Sequence, residues 1–179
     1  MAGPLRTMFL KKHEASSESL DRSAGTIYSL SNLTRSSDMA RSFTGGCSCG
    51  AVRYECFIEP RFTANCHCRD CQRASGSGFV SVLGVPRDAL KITGEVKYFD
   101  IKGDRGNLVS RGFCPNCGSR LFARPAAAPT MIGIMAGSLD DPGWYRPAMD
   151  FYAGSAQPWV FMDPALPKFP KMPPMEPNR

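Results

Sequence analysis

The cysteines are the residues whose type and spacing indicate chemistry in this sequence. Eight cysteines accompany only two histidines in 179 residues. Seven of the cysteines fall into three clusters, which are Cys47 and Cys49, then Cys66, Cys68 and Cys71, and finally Cys114 and Cys117. Thiolate sulfur is a soft ligand that zinc and iron bind in tetrahedral sites. The spacing therefore predicts metal binding.

The third cluster has the pattern of a metal-binding turn. Two cysteines separated by two residues can place both sulfurs on one ion, and a following glycine lets the backbone turn tightly. Cys114, Cys117 and Gly118 have this pattern. Cys47 and Cys49 would also point to one side if that stretch is extended, because side chains alternate along a strand. Together the four cysteines would complete a structural zinc site.

The second cluster would then supply three ligands, Cys66, Cys68 and Cys71. Three protein ligands leave one position for water or substrate, which is the arrangement of catalytic zinc. We therefore predict a catalytic zinc on these cysteines and two zinc ions per chain. Spacing alone also allows Cys47 and Cys49 to join this cluster, and iron satisfies the same donor set.

Other roles for the cysteines and the neighbouring histidine fit the sequence less well than metal binding. A redox dithiol at Cys114 and Cys117 would be expected in a βαβ pattern, which the sequence lacks. Disulfides are disfavoured because cysteines one residue apart on a strand are poorly placed to pair with each other. His67 would face away from its neighbouring cysteines in an extended backbone, so we predict a local hydrogen bond for it. Cys56 shares an apolar face with its neighbours and is predicted to be a core residue.

The elements that must position these cysteines are predicted to be short strands. Residues 52–58 alternate in polarity with a period of two, as in a half-buried strand. Further strands are predicted at 79–85, 96–99, 108–113, 121–123, 131–136 and 149–152. Glycine or proline lies in nearly every gap, and no amphipathic helix of ten residues is visible. The predicted fold class is all-β, a compact zinc-stabilised domain of short antiparallel sheets with cysteine clusters on loops.

The chain divides into three predicted zones. Residues 1–42 carry few large apolar residues and are predicted to be a disordered N-terminal arm. Residues 43–169 hold every cysteine and form the predicted metal-binding domain, with Trp159 in its core. Prolines recur through 163–179, which predicts extended chain without helix or sheet and a proline-rich tail over 170–179.

Composition and charge argue against several other classes of protein. A hydrophobic content of 42% excludes wholesale disorder, and no apolar run approaches the roughly 18 residues of a membrane span. The N-terminal residues have no clear signal-cleavage site, so we expect a cytoplasmic protein with reduced cysteines. The net charge of +6 comes without a dense basic run, which disfavours nucleic acid as a partner. Two zinc ions on seven thiolates would lower this charge to about +3.

The clusters, taken in this order, resemble the family of glutathione-dependent formaldehyde-activating enzymes, which includes centromere protein V. The similar stretches are 45–52, 66–73, 75–76, 113–119, 136–142, 158–159 and 166–169. The resemblance implies a compact zinc-bearing β-fold. It also implies that Cys47, Cys49, Cys114 and Cys117 bind structural zinc, and that Cys66, Cys68 and Cys71 bind catalytic zinc. One departure is that many members carry histidine after an Arg-Pro pair that is followed here by Met149 and Asp150.

The family resemblance implies a carbon–sulfur lyase that joins formaldehyde and glutathione into S-hydroxymethylglutathione and reverses that reaction. An open zinc position suits this chemistry, because it keeps a soft thiolate deprotonated at neutral pH. Arg69 and Arg73 flank the second cluster and are predicted to pair with substrate carboxylates, a plain solvent-exposed position being the alternative. The expected partners are a small thiol such as glutathione and an aldehyde, and the oligomeric state stays open. The alternative is a non-catalytic zinc-stabilised module that binds protein or nucleic acid, in which a fourth protein ligand would close the second site.

Overall fold

The structure is a computed structural model, and it describes residues 42–173. The predicted arm, apart from Ser42, and residues 174–179 of the predicted tail lie outside the described residues, so the zone boundaries stay predictions. The elements are β1 (Phe43–Gly46), β2 (Arg53–Cys56), β3 (Phe62–Cys66), α1 (Arg69–Ser75), β4 (Val80–Pro86), β5 (Leu90–Thr93), β6 (Lys97–Lys102), β7 (Leu108–Phe113), β8 (Arg120–Pro125), β9 (Met131–Met135), β10 (Asp150–Phe151) and β11 (Lys168–Phe169). Short 3₁₀ turns lie at Arg87–Ala89, Ala136–Ser138 and Ala153–Ser155.

The strands form two sheets, which confirms the all-β prediction. One sheet has three antiparallel strands in the order β1-β2-β5, and the other has eight in the order β11-β10-β3-β4-β9-β8-β7-β6. The larger sheet is antiparallel from β3 to β6, whereas β10 runs parallel to both β3 and β11. The long connection from β9 to β10 permits this, because parallel neighbours need a crossover rather than a tight turn. Across residues 42–173, no helix has the length and apolar character needed to span a membrane.

Every predicted strand is present, 108–113 with the predicted bounds and the others with shifted ends, and the structure adds four further strands. β1 contains two glycines, β3 and β5 are short and mix polar with apolar residues, and β11 has only two residues. The prediction of no sheet beyond residue 163 is therefore wrong at β11. Lys168 and Phe169 lie between two prolines and keep their own backbone N–H groups, so they can form an edge strand.

The main core lies between the two sheets. Val52, Tyr54 and Cys56 alternate inward from the small sheet, with at most 3% of each exposed. The Tyr54 ring meets Phe122 of the large sheet edge to face, with ring centroids 5.5 Å apart. The predicted alternation and the predicted core position of Cys56 are thus confirmed.

A smaller apolar cluster lies behind the second group of cysteines. Ala64, Cys66 and Phe151 are its buried members. The parallel pairing of β10 with β3 places Phe151 directly beside Cys66 in register. The Phe151 ring centroid is 5.9 Å from that of Phe62 and 6.4 Å from that of Phe169, so β3, β10 and β11 support this cysteine together.

Trp159 does not lie in the core, so that prediction is wrong. Its side chain is 71% exposed. A hydrogen bond from the Val160 N–H to the Gln157 carbonyl closes a turn at this point, and the turn leaves the indole on the surface against Gly78.

Replacing Gly94 with alanine should destabilise the protein by roughly 3 kcal/mol or more. Gly94 has φ +87°, which costs an L-residue about 1–2 kcal/mol. A Cβ there would also lie 2.0 Å from the Ala51 carbonyl oxygen, so the backbone between β1 and β2 must shift. Urea unfolding of the purified variant measures the loss.

Gly106→Ala is the matched control for this prediction. Gly106 has φ +80°, but a Cβ there would meet no atom within 4 Å. Only the backbone term of about 1–2 kcal/mol should be lost. Equal losses in the two variants would contradict the predicted contact at Gly94.

Candidate metal centres

The fold brings four cysteines from two distant turns to one place. Cys47 and Cys49 lie in the turn between β1 and β2, and Cys114 and Cys117 lie in the turn between β7 and β8. Their four sulfurs all lie within 4.8 Å of one another. We call this set the four-cysteine cluster, and it joins the small sheet to the large one.

The geometry of the four-cysteine cluster fits zinc. With Zn–S bonds of about 2.3 Å, neighbouring sulfurs of a tetrahedral site are about 3.8 Å apart. The Cys47 and Cys49 sulfurs are 3.5 Å apart, and the Cys49 and Cys114 sulfurs are 3.8 Å apart. The spacing of these donors therefore matches a tetrahedral thiolate site.

Cys47 and Cys49 lie in a tight turn and not in the predicted extended stretch. The Cys47 N–H donates to the Val52 carbonyl, and the Gly50 N–H donates back to the Cys47 carbonyl. Gly50 takes φ +77°, which closes a tight turn. Both sulfurs reach one point because the chain reverses, not because side chains alternate along a strand.

Hydrogen-bond donors surround these sulfurs, as expected for thiolates. The Val52 N–H donates to Cys47 Sγ over 3.2 Å, and the Asn116 amide donates to Cys49 Sγ over 3.2 Å. The Ser119 hydroxyl lies 3.2 Å from Cys117 Sγ, and this contact lowers the pKa of Cys117 to about 5. Such outer contacts orient metal ligands and favour their ionised form.

The second group, which we call the three-cysteine cluster, is built from a strand end and a helix start. Cys66 ends β3, Cys68 caps the N-terminus of α1, and Cys71 lies in the first turn of that helix. The Cys71 N–H donates to Cys68 Sγ over 3.3 Å. The three sulfurs lie within 4.8 Å of one another, so two of the predicted loop ligands are in fact held by regular elements.

The electrostatics of the three-cysteine cluster favour a bound cation. Hydrogen bonds from Cys66 and Cys68 hold the pKa of Cys71 well below its usual range. The contacts with Cys68 and Cys71, together with burial, raise the pKa of Cys66. Three adjacent thiols can all ionise only when a positive charge balances them, and a divalent ion on these donors supplies it.

His67 does not join the three sulfurs, as predicted, but the hydrogen bond of its ring is made with a residue distant in sequence and not with a local one. It is buried, and its Nε2 lies 3.2 Å from Asp150 Oδ1. The Asn65 amide also donates to that carboxylate oxygen, over 3.1 Å. Within residues 42–173, no histidine, aspartate, glutamate or further cysteine joins the three sulfurs as a fourth donor.

Gln72 ties helix α1 to the loops on either side of it, and its role was not predicted. Its buried amide nitrogen donates to the His67 carbonyl over 2.6 Å and to the Ser155 carbonyl over 3.0 Å. Its amide oxygen accepts from the Arg69 guanidinium and from the Gln157 amide. Because the His67 peptide lies between two of the ligands, this network sets their positions.

Replacing Gln72 with glutamate should destabilise the protein by roughly 2–4 kcal/mol. A carboxylate accepts hydrogen bonds only, so the carbonyls of His67 and Ser155 would lose their buried donor and face a negative charge. Urea unfolding measures the loss, and metal analysis should show a weakened second site.

Gln157→Ala provides the comparison for Gln72→Glu. Gln157 is only partly buried and donates to the edge of the same network, over 3.2 Å to Gln72. Its loss should cost about 1 kcal/mol or less. A stable Gln72→Glu variant with full metal content would show that the amide does not position the ligands.

The two arginines predicted to bind substrate are both exposed on helix α1. Arg69 donates to Gln72, and in residues 42–173 neither Arg69 nor Arg73 has a hydrogen bond to a cysteine sulfur. The guanidinium that faces the cluster belongs to Arg120, whose Nη2 lies 3.9 Å from Cys71 Sγ. No sequence signal distinguished Arg120 except that it follows the Cys114–Cys117 turn closely.

Two shallow surface cavities, of about 320 and 250 Å³, lie away from both clusters. The larger is lined by Phe43, Asp140 and Trp144, among others, and the smaller lies beside Arg53 and Tyr54. Their linings hold no cysteine, so the sulfur chemistry, and not cavity size, marks the candidate site.

The fold and its two clusters define an all-β protein with a closed four-sulfur group and an open three-sulfur group, each able to bind a metal ion. The chain belongs to the family of glutathione-dependent formaldehyde-activating enzymes, whose family model matches residues 42–155. The predicted resemblance is thereby confirmed.

Three relatives share that family name in provisional form. A Penicillium rubens protein is 30% identical over 122 residues, which cover 64% of this chain and 63% of the relative. A Podospora anserina protein is 29% identical over 69% of this chain and 61% of its own length. A Halomonas elongata protein is 29% identical over 54% of this chain and 64% of its own length. The match therefore spans less than two thirds of each relative.

A crystal structure of a Rhodobacter sphaeroides protein aligns with a TM-score of 0.44 at 21% identity, covering 58% of this chain and 91% of that chain.

Proposed function

We propose that this protein is a zinc-dependent carbon–sulfur lyase acting on thiol–aldehyde adducts such as S-hydroxymethylglutathione, formed from formaldehyde and glutathione. The observation that supports it most is the three-cysteine cluster, which has three sulfur donors and no fourth among residues 42–173. The family names of the relatives agree with formaldehyde and glutathione as substrates.

The proposed reaction needs no external oxidant or reductant. The thiol sulfur bonds to the aldehyde carbon, the carbonyl π electrons move to oxygen, and the proton lost from sulfur ends on that oxygen. The reverse reaction breaks the carbon–sulfur bond and returns the proton to sulfur. Catalysis therefore requires a deprotonated thiol held beside the aldehyde.

Cys66, Cys68 and Cys71 would hold the catalytic zinc, and Cys47, Cys49, Cys114 and Cys117 would hold the structural one. A zinc ion bound to three thiolates supplies an open, soft position that stabilises a substrate thiol in its deprotonated form. The protein's own contribution is rigidity, because Cys66 is buried on β3 and Cys68 and Cys71 are fixed to helix α1. Such fixed donors keep the site in one geometry before the substrate arrives.

Arg69 and Arg73 are proposed to speed the approach of the anionic thiol substrate by long-range attraction of its carboxylates, without holding them in the site. Both are exposed on the helix that carries Cys71, so each can swing toward a ligand. Because the cysteines must stay reduced to bind metal, we also propose a reducing compartment, the cytoplasm.

NMR exchange spectroscopy tests the proposed function. The metal-loaded full chain should accelerate exchange between formaldehyde with glutathione and their adduct, well above the uncatalysed rate. Metal analysis of the same sample should find two zinc ions per chain, and iron in their place would contradict the assignment. The variant Cys56→Ala is the control, because Cys56 is buried in the main core and belongs to neither group of possible metal ligands. Full metal content without any acceleration would overturn the proposal and favour the non-catalytic binding module.

A further inference from the structure

We propose that Arg120 determines substrate specificity at the three-cysteine cluster, by binding a carboxylate of the thiol substrate. The inference rests on the proposed function in that it takes a thiol as the ligand of this cluster. It names the chemical class of that thiol, an anionic one, and assigns its recognition to a residue on β8 rather than on helix α1.

The position of Arg120 supports this role. Its Nη2 lies 3.9 Å from Cys71 Sγ, so the guanidinium borders the cluster directly. Arg120 begins β8, two residues after Gly118 in the turn of the four-cysteine cluster, and it is paired with Phe113. The Cys114 N–H donates to the Ser119 carbonyl and closes that turn. The structural cluster thereby fixes the strand end that presents Arg120 to the second cluster.

The hydrogen bonding of Arg120 is incomplete. Its Nε and Nη1 are buried and have no hydrogen-bond partner within residues 42–173. The salt bridge between an arginine or lysine and a carboxylate in that range is Arg53 with Asp140, and it does not include Arg120. A buried N–H without an acceptor is costly. The structure therefore holds an arginine that contacts Cys71 Sγ through Nη2 and has two further guanidinium nitrogens without an acceptor.

A carboxylate on the substrate matches this arginine better than other groups do. The guanidinium fork binds two carboxylate oxygens at once, and these charge-assisted bonds are about twice as strong as neutral ones. Since the fork lies next to Cys71, an anionic group a few bonds from the substrate sulfur is within its reach. Neutral or cationic thiols would leave Arg120 unsatisfied and should bind more weakly.

Calorimetric binding of three small thiols to the zinc-loaded full chain tests the proposal. The probes are 3-mercaptopropionate, 2-mercaptoethanol and cysteamine, which carry a carboxylate, a hydroxyl and an ammonium group. The wild type should bind 3-mercaptopropionate about tenfold or more tightly than 2-mercaptoethanol, with cysteamine weakest. This preference should shrink as sodium chloride is added, because salt screens charge pairs.

Arg120→Gln should bind both 3-mercaptopropionate and 2-mercaptoethanol with similar affinity, within about threefold, while its affinity for 2-mercaptoethanol matches the wild type. Arg120→Lys keeps the charge without the fork and should retain part of the preference, which preserves the test if Arg120→Gln does not fold. Arg124→Gln is the matched control. Arg124 lies on the same strand with its guanidinium 4.1 Å from the Tyr98 ring centroid, so its loss should leave the preference intact.

Several outcomes would overturn the proposal. These are no carboxylate preference in the wild type, equal loss for every thiol in Arg120→Gln, or a preference that disappears in Arg69→Gln or Arg73→Gln instead. The proposed lyase activity is separable from this result. A wild type that prefers 3-mercaptopropionate but does not accelerate formaldehyde exchange would refute the activity alone, and an active enzyme whose Arg120→Gln variant keeps the preference would refute only the role of Arg120.

Discussion

Replacing Cys117 with serine should remove most of the folding stability of this protein, although Cys117 is exposed. A substitution at an exposed surface position usually changes the free energy of unfolding by less than about 0.5 kcal/mol. Cys117, however, is one of four sulfurs that join the turn between β1 and β2 to the turn between β7 and β8. A structural zinc on four thiolates supplies free energy of roughly 10 kcal/mol or more to folding, which is comparable with the whole stability of a domain.

Thermal unfolding followed by circular dichroism measures this effect. We expect the melting temperature of Cys117→Ser to fall by at least about 10 °C, since 1 kcal/mol corresponds to roughly 2–4 °C at this size. Metal analysis should show one zinc ion lost per chain. A chelator should lower the melting temperature of the wild type strongly and that of the variant much less, because the main stabilising ion is already absent.

Cys56→Ser is the comparison for Cys117→Ser, because it removes one cysteine from the main core and none from the clusters. It should keep two metal ions and lose stability only by the cost of a small buried polar group, about 1–3 kcal/mol. The structural role of the four-cysteine cluster would be wrong if Cys117→Ser melted like the wild type and kept both ions.

Replacing Cys71 with serine should abolish the proposed exchange activity while leaving the protein folded. Cys71 is one of only three sulfurs in its cluster, and it is the sulfur that Arg120 contacts. A serine hydroxyl is a hard donor that stays protonated at neutral pH, so the second ion would be lost or misplaced. Losing several kcal/mol of catalytic stabilisation lowers the rate by about a thousandfold.

The NMR exchange assay on Cys71→Ser, with metal analysis of the same sample, measures this effect. We expect one zinc ion to remain and the melting temperature to stay much closer to the wild type than that of Cys117→Ser. Cys66→Ser should behave in the same way, because Cys66 belongs to the same cluster. Unchanged exchange in a variant that has lost the second ion would show that this cluster is not the catalytic site.

Much of the fold could be predicted because the signals for strands, such as alternating polarity, lie within short stretches of sequence. The alternation of Val52, Tyr54 and Cys56 predicted β2 and its inward face, and these side chains are buried. β1 and β3 were missed, since glycines and mixed polarity hide a strand whose hydrogen-bond partners are distant in sequence. The prolines around β11 argue against a strand, yet the two N–H groups between them allow pairing with β10.

The sequence by itself determined which cysteines form the groups, because ligand type and close spacing depend only on neighbours along the chain. It also determined the all-β class and the family. Spacing alone left open which cluster Cys47 and Cys49 join; the family resemblance implied Cys114 and Cys117, and the tertiary structure shows the four sulfurs together. The tertiary structure likewise placed Arg120, and not Arg69 or Arg73, against a sulfur. The reason is physical. Strand pairing and burial act between residues far apart in the chain, and they determine the position of each side chain in the folded structure.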